Sequence, residues 1–475
     1  MSENLLEMIE EEINNYQSID ELRLAFIKHG YLEKDIDEAV LKITRSARKL
    51  THIEMKADRL FTWKEVLDRV GFGFVTHQFI NILFYLTGAG YLLLGLMNGL
   101  KAMLSIIFSS FLREYSQVHD LSKEFMSKTG ILFGFSFLIM AWARRIENVW
   151  LFAFALVLGA LSVVTYGDFY NKVIKETIKS QHKSYFLSRV SYYGILITAV
   201  CLLMSGWLME RFPADGPLQW ILGAKYPVYG YLLSFEISAF TFILAGYVLN
   251  FLPYKRQNKK YPLIRFTREY IDHITSKSKV FLRNKHVLML LGITTLLGAV
   301  QILGNSYYGI FIYKTFREQW LGGFMNVAAI YAIALLVSFI GPFLTKRIER
   351  AIGLAPMIVF GVLLMALMPF TLAFNPDLFA VTIANALSII GAVIVGVAQG
   401  LLARRLLSDK DRSTYFATSG IMSTIPFLLL VPAGAYLASL QPDLSHFFGI
   451  LAGLLVVVIM PLSFALVLST NHHKI

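Results

Sequence analysis

From about residue 70 onward the sequence is a succession of apolar runs close to 20 residues long, and no other feature restricts the fold so sharply. As a helix, a run of that length matches a bilayer hydrocarbon core of about 30 Å. A soluble protein could bury one or two such runs, but not a dozen. The balance of residues agrees: 56% are hydrophobic and 16% charged, against roughly 25% charged in a typical soluble domain. The runs lack the alternation of a lipid-facing barrel. The expected fold class is therefore an all-α polytopic membrane protein.

Twelve spans are expected, at about 72–95, 100–116, 130–146, 148–170, 190–209, 229–252, 286–313, 320–344, 354–373, 377–402, 414–439 and 445–468. The first boundary is the hardest to place, because residues 72–112 contain one charge, Lys101. A turn at "MNGLK" (97–101) is the first choice; the alternative at Gly88-Ala89-Gly90 would leave Lys101 as a buried charge in span 2. Lys and Arg gather in the loops after even-numbered spans, above all in 253–285, and are sparse elsewhere. That asymmetry places both termini in the cytoplasm, in a plasma or inner membrane. It also explains the net charge of +12 without nucleic acid, which is not an expected partner. The acidic, polar N-terminus does not read as a signal peptide. Cys201 is the single cysteine, so no intrachain disulfide and no cysteine metal cluster is expected.

Residues 1–55 read as a cytoplasmic helical module, with helices near 3–15, 19–29 and 34–50, and resemble a UBA-like three-helix domain. Such a module could dock a cytoplasmic protein partner through residues 1–50 or pack on the membrane body. The remaining divisions are 56–253 for a first six-helix bundle, 254–285 for a basic cytoplasmic linker, and 286–475 for a second bundle.

Internal repetition supports the two bundles. "SSFLREY" (109–115) aligns with "GPFLTKR" (341–347), and "SYFLS" (184–188) with "TYFAT" (414–418), at nearly one offset. With twelve spans in two sixes, a long basic central linker and a charged loop after spans 2 and 8, the chain resembles the major facilitator superfamily over about residues 65–470. That resemblance implies parallel halves around a central site. The family's loop motif, Gly-x-x-x-Asp-Arg/Lys-x-Gly-Arg-Arg/Lys, is matched by Gly341, Lys346 and Arg350. Thr345 stands where the acid is expected, and Glu349 where a base is. In the first half Ser109 replaces the glycine and Arg113 the acid. The family's loop acid is a latch between helix ends; here Glu349 or Glu114 would have to substitute.

A transporter needs polar groups at mid-membrane, where an unpaired ionisable group costs about 2.5–3.5 kcal/mol on insertion scales. Span 1 supplies Thr76, His77, Gln78 and Asn81; span 7 supplies Gln301 and Asn305, four apart, followed by Tyr307 and Tyr308. Thr76, His77, Gln78, Asn81, Gln301, Asn305 and Tyr308 are the candidate substrate-binding set. Hydrogen bonding between helices is the competing use of such residues. Glu236, Asp168 and His77 are the candidates for proton coupling, since a buried carboxylate or an imidazole can exchange a proton near neutral pH. Arg144 and Arg145 either attract an anion or end span 3. Gly95/Gly99 and Gly396/Gly400 are small-xxx-small pairs for close helix approach.

No P-loop, His-Glu-x-x-His or Gly-x-Ser-x-Gly motif is present, so an enzyme is not expected, nor any cofactor or metal. The expected function is secondary active transport of a small-molecule substrate by a monomer in the lipid bilayer. Proton coupling is expected, with a lean to efflux of an uncharged or amphiphilic compound. The alternative is a non-transporting sensor or scaffold on the same fold.

Overall fold

A computed structural model of the chain describes residues 26, 31, 35–38, 52–119, 123–177, 180–212, 229–252, 261–407, 409–441 and 443–471. Most of the expected N-terminal module therefore lies outside the described residues. All regular structure among the described residues is helical. The first half holds α1 (His52–Phe74), α2 (His77–Leu86), α3 (Tyr91–Val118), α4 (Lys123–Arg145), α5 (Val149–Thr177), α6 (Ser180–Arg211) and α7 (Gly230–Val248). A linker helix, α8 (Leu263–Arg283), follows. The second half holds α9 (Lys285–Thr315), α10 (Gly323–Ser338), α11 (Gly341–Ile352), α12 (Leu354–Phe374), α13 (Leu378–Leu406) and α14 (Asp409–Leu440). It ends in α15 (Leu444–Gly453), a π-turn segment (Leu454–Ile459) and α16 (Met460–Asn471).

Ten helical segments, counting α15 through α16 as one, are long and apolar enough to cross a membrane, and eleven if α10 and α11, bent by 51°, form one span. The remaining expected span, the first, falls across α1 and α2. Its start differs from the expected residue 72 because Lys64, Glu65, Asp68 and Arg69 interrupt the apolar pattern. The structure turns two of these charges inward: Lys64 pairs with Asp68 at 2.8 Å, and the Tyr166 hydroxyl donates to Asp68 at 3.1 Å. Lys64 also lies 3.2 Å from the Tyr170 ring centre.

The boundary between spans 1 and 2 resolves in favour of the alternative turn. The chain reverses at Thr87–Gly90, where Gly88 has φ +105°, a conformation cheap only for glycine. "MNGLK" is helical and Lys101 lies inside α3. The charged run 345–350, expected as a loop, is also helical, within α11. Thr345, at the acid position of the motif, is buried and donates its hydroxyl to Gly341 O, so it satisfies itself within its own helix.

The halves meet along α3 with α14, α6 with α10, and α2 and α3 with α9. The repeated segments occupy matching places: "SSFLREY" ends α3 and "GPFLTKR" opens α11, while "SYFLS" and "TYFAT" lie near the starts of α6 and α14. Gly95 and Gly99 mediate the α3–α14 approach, facing Ala435 and Val431. Gly396 and Gly400 face open space instead. α8 is amphipathic: Phe266 and Tyr270 are buried, Leu263, Ile264 and Ile271 exposed. It lies on Phe111 and Tyr115 of α3, and the Tyr270 hydroxyl donates to Ser110 Oγ at 2.9 Å.

Candidate functional site

The break between α1 and α2 creates the site. Val75 and Thr76 leave the helical path, and Thr76 becomes the extended N-cap of α2. Breaking a helix inside a membrane strands backbone carbonyls, which must find other donors. Ser205 of α6 donates to Phe74 O at 2.6 Å, while Gly71 O keeps its bond from Val75 N at 3.1 Å and also accepts from Ser238 of α7 at 2.9 Å. The break sets the N-terminus of α2, His77 foremost, against the space between the halves.

That space is a cavity of about 620 Å³. From the first half it is lined by His77 and by one face of α3: Asn98, Lys101, Ala102, Ser105 and Ile106. From the second half come Thr294, Gln301 and Asn305 of α9, Gln399 of α13, and Ser419 and Ser423 of α14. No Asp or Glu is among its described lining residues. A second chamber of about 350 Å³ shares His77, Lys101 and Ser105 with the first and is otherwise apolar, with Phe133 and Phe137 on one wall. The His77–Lys101 pair thus stands between a polar and an aromatic compartment.

A chain of hydrogen bonds holds the pair. Lys101 Nζ lies 3.0 Å from His77 Nδ1, and Asn81 Nδ2 lies 3.4 Å from His77 Nε2. The same Asn81 amide donates to Asn305 O in the other half at 2.9 Å, and Asn98 Nδ2 donates to Asn81 Oδ1 at 3.0 Å. The buried Asn98 Oδ1 and Gln399 Nε2 lack hydrogen-bond partners.

Of the expected binding residues, His77, Gln301 and Asn305 line the cavity. Asn81 lies behind His77, and Thr76 caps α2, accepting from Phe79 N at 3.4 Å. Gln78 faces α9, its Oε1 accepting from Gly309 N at 3.1 Å. Tyr308 packs within the second half, 5.3 Å from the Phe448 ring. Lys101, Asn98, Ser105, Gln399, Ser419 and Ser423 were not among the expected binding residues. Lys101 carried a signal, as the charge left buried by the alternative turn. The others read as ordinary interhelical polar residues.

Of the other coupling candidates, Glu236 is exposed on α7 and does not reach the cavity. Asp168 on α5 is half-buried beside Ser109 and Arg113. The charge missing from the first-half motif is thus met by the reverse arrangement, a base on α3 facing an acid on α5. Arg144 is buried at the end of α4 and pairs with Glu147 at 3.7 Å, which fits a helix terminus. Of the motif residues in the second half, Glu349 pairs with Arg405 at 3.4 Å. Lys346 and Arg350 lie along α11, and Glu114 sits between Arg113 and His273.

Direct hydrogen bonds join the halves at one end. Besides Asn81–Asn305 and Gln78–Gly309, the Tyr307 hydroxyl donates to Tyr91 O at 2.9 Å, and Lys314 donates to the Tyr91 hydroxyl at 3.2 Å. Phe324 N donates to Glu210 at 2.9 Å. All lie between the cavity and the turns at Thr87–Gly90 and Phe316–Gly322, here termed the turn end. The opposite, linker end carries α8.

No protein-family model and no curated protein matches this chain. Solved structures do. The nucleoside transporter NupG aligns with a TM-score of 0.64 at 13% identity, over 88% of this chain and 98% of that one. A bacterial homologue of the iron transporter ferroportin, in an inward-facing state, aligns at 0.62 and 14% identity, over 88% and 99%. A D-xylose–proton symporter aligns at 0.60 and 12%, over 86% and 97%. These are transporters of the major facilitator type. The likeness covers both halves and establishes a shared fold.

Proposed function

We propose, from the major facilitator fold that this chain carries, that it is a secondary transporter moving a small solute through the cavity between its halves. One observation carries the reading: residues of both halves line the cavity, and direct hydrogen bonds join the halves on its turn-end side. Two bundles joined at one end can rock and join at the other, exposing the same site alternately. The distribution of Lys and Arg makes the linker end cytoplasmic. The conformation described is then closed outside and disposed to open inward.

We assign proton coupling to His77 with Lys101, which line the cavity, rather than to Glu236 or Asp168, which lie off it. A lysine ammonium only donates, so it requires a lone pair on His77 Nδ1 and puts the imidazole hydrogen on Nε2. There that hydrogen meets the Asn81 Nδ2 group, already committed as donor to Asn305 O. With an uncharged Lys101 the other tautomer fits, Nδ1–H donating to the amine and Asn81 donating to Nε2. Two proton arrangements therefore compete beside a contact joining the halves. Gain or loss of one proton would tighten or loosen that contact, which is what coupling requires.

The test uses Ser105→Cys in a Cys201→Ser background, labelled with a membrane-impermeant maleimide in sealed vesicles of each orientation. Labelling from both faces is expected, faster from the linker-end face. Labelling from one face alone would contradict alternating access and favour a non-transporting scaffold.

A further inference from the structure

We infer that the solute is an organic anion, its carboxylate or phosphate group held by Lys101 at the N-terminus of α2 and its apolar part lying against Phe133 and Phe137. The inference rests on the transport reading of the same cavity and adds the class of substrate. The expectation of an uncharged solute rested on spans with few fixed charges, and Lys101 inside the cavity removes that basis.

Three independent features converge on an anion. Lys101 faces the cavity with His77 as its only hydrogen-bond partner among the described residues, which leaves two of its three ammonium donors for a ligand. No carboxylate among the described lining residues supplies the missing charge. α2 begins at this point, so its first free N–H groups and positive dipole end add to the same field. A buried cation without a counter-ion is costly, and an arriving anion recovers that cost as binding energy.

The rest of the solute is constrained by what surrounds the pair. Gln399 Nε2 and Asn98 Oδ1, buried on the polar side without partners, call for an acceptor and a donor on the ligand. Asn98 is only 3% exposed, so its carbonyl oxygen has little recourse to bulk water. On the other side, the 350 Å³ chamber offers Phe72, Phe133, Phe137, Met140 and Leu156. A charged group at the pair with an aromatic or aliphatic body in this chamber satisfies both compartments. A simple inorganic anion satisfies only one.

The experiment measures thermal stabilisation of the purified full-length protein by four probes: phenylacetate, its neutral isostere phenylacetamide, phenyl phosphate and inorganic phosphate. At least one aryl anion is expected to raise Tm saturably, with an affinity at least about tenfold above phenylacetamide and inorganic phosphate, the scale of one charge-assisted hydrogen bond. Preference between phenylacetate and phenyl phosphate assigns the head group. Lys101→Met should weaken aryl-anion binding by at least about tenfold, while Lys101→Arg, which keeps the charge, retains it. Phe137→Ala should lower affinity for the aryl anion more than for inorganic phosphate. Equal binding of phenylacetamide and phenylacetate, undiminished anion binding in Lys101→Met, or no stabilisation by any probe would each overturn the inference. Two-sided labelling of the Ser105→Cys protein is independent of these outcomes. If it persists while the anions fail, transport stands and the substrate class falls; if anions bind while labelling stays one-sided, the site stands and transport falls.

Discussion

Lys101 and Gly88 decide each other. A turn at "MNGLK" would have put the lysine in water; the turn at Gly88, with its positive φ, keeps α3 helical through Lys101 and delivers the charge to the cavity. The sequence left this open, since both stretches contain glycine and neither contains proline. His77, Gln301 and Asn305 were legible because polar residues stood out in apolar runs, with Gln301 and Asn305 at helical spacing. Ser105, Gln399, Ser419 and Ser423 were not, because small polar side chains serve equally well inside a helix pair. A buried lysine without a carboxylate is a liability to the resting fold. Lys101→Met is therefore expected to raise stability in a thermal or denaturant melt, by up to about 3 kcal/mol, while losing anion binding. A fall in stability would mean that Lys101 is a structural tie. At Asn81 the opposite holds: Asn81→Ala leaves the buried Asn98 amide unpaired, at about 1–3 kcal/mol for a buried group stranded. It should speed labelling of Ser105→Cys from the turn-end face.

Among the helices, the broken first span was the least legible. The charges of "KEVLDR" hid α1, because a sequence window registers a charge but not the partner that neutralises it. The break at Thr76 likewise draws on Ser205, more than a hundred residues away, which takes up Phe74 O. The glycine pairs show the same limit: equal in sequence, they differ in surroundings. An added methyl at Gly95 would run into Tyr307 and Ala435. Gly95→Val is expected to cost about 1–3 kcal/mol by overpacking and to loosen the α3–α14 seam, whereas Gly396→Ala should melt like the parent. At α8, outside the spans, Glu269 accepts from the Tyr261 hydroxyl and from Arg265, which hold its carboxyl below the usual 4.5. A depressed acid contributes above its unfolded pKa and loses that contribution as pH falls through the folded value. Hydrogen-exchange protection in α8, taken relative to the intrinsic rate at each pH, should therefore be unchanged from pH 7 to 5 and fall only below about 4.5. A loss of protection between pH 7 and 6 would point to another group.

On the scale of the whole molecule, the apolar runs, the charge asymmetry and the near-constant offset between repeats made the two-bundle plan readable without coordinates. They could not reveal which end of the bundles is joined, because that depends on contacts across the halves and on the conformation adopted. The central claim is that the halves exchange the joined end. It is tested by spin-label distances in a lipid bilayer, in the Cys201→Ser background, for two pairs of exposed sites. Ile146 and Phe374 report the turn end; Val118 and Ile352 report the linker end. In the Asn81→Ala variant relative to the parent, the turn-end distance should lengthen as the linker-end distance shortens. Distances that stay fixed at both ends, or that lengthen together, would contradict a rocking transporter.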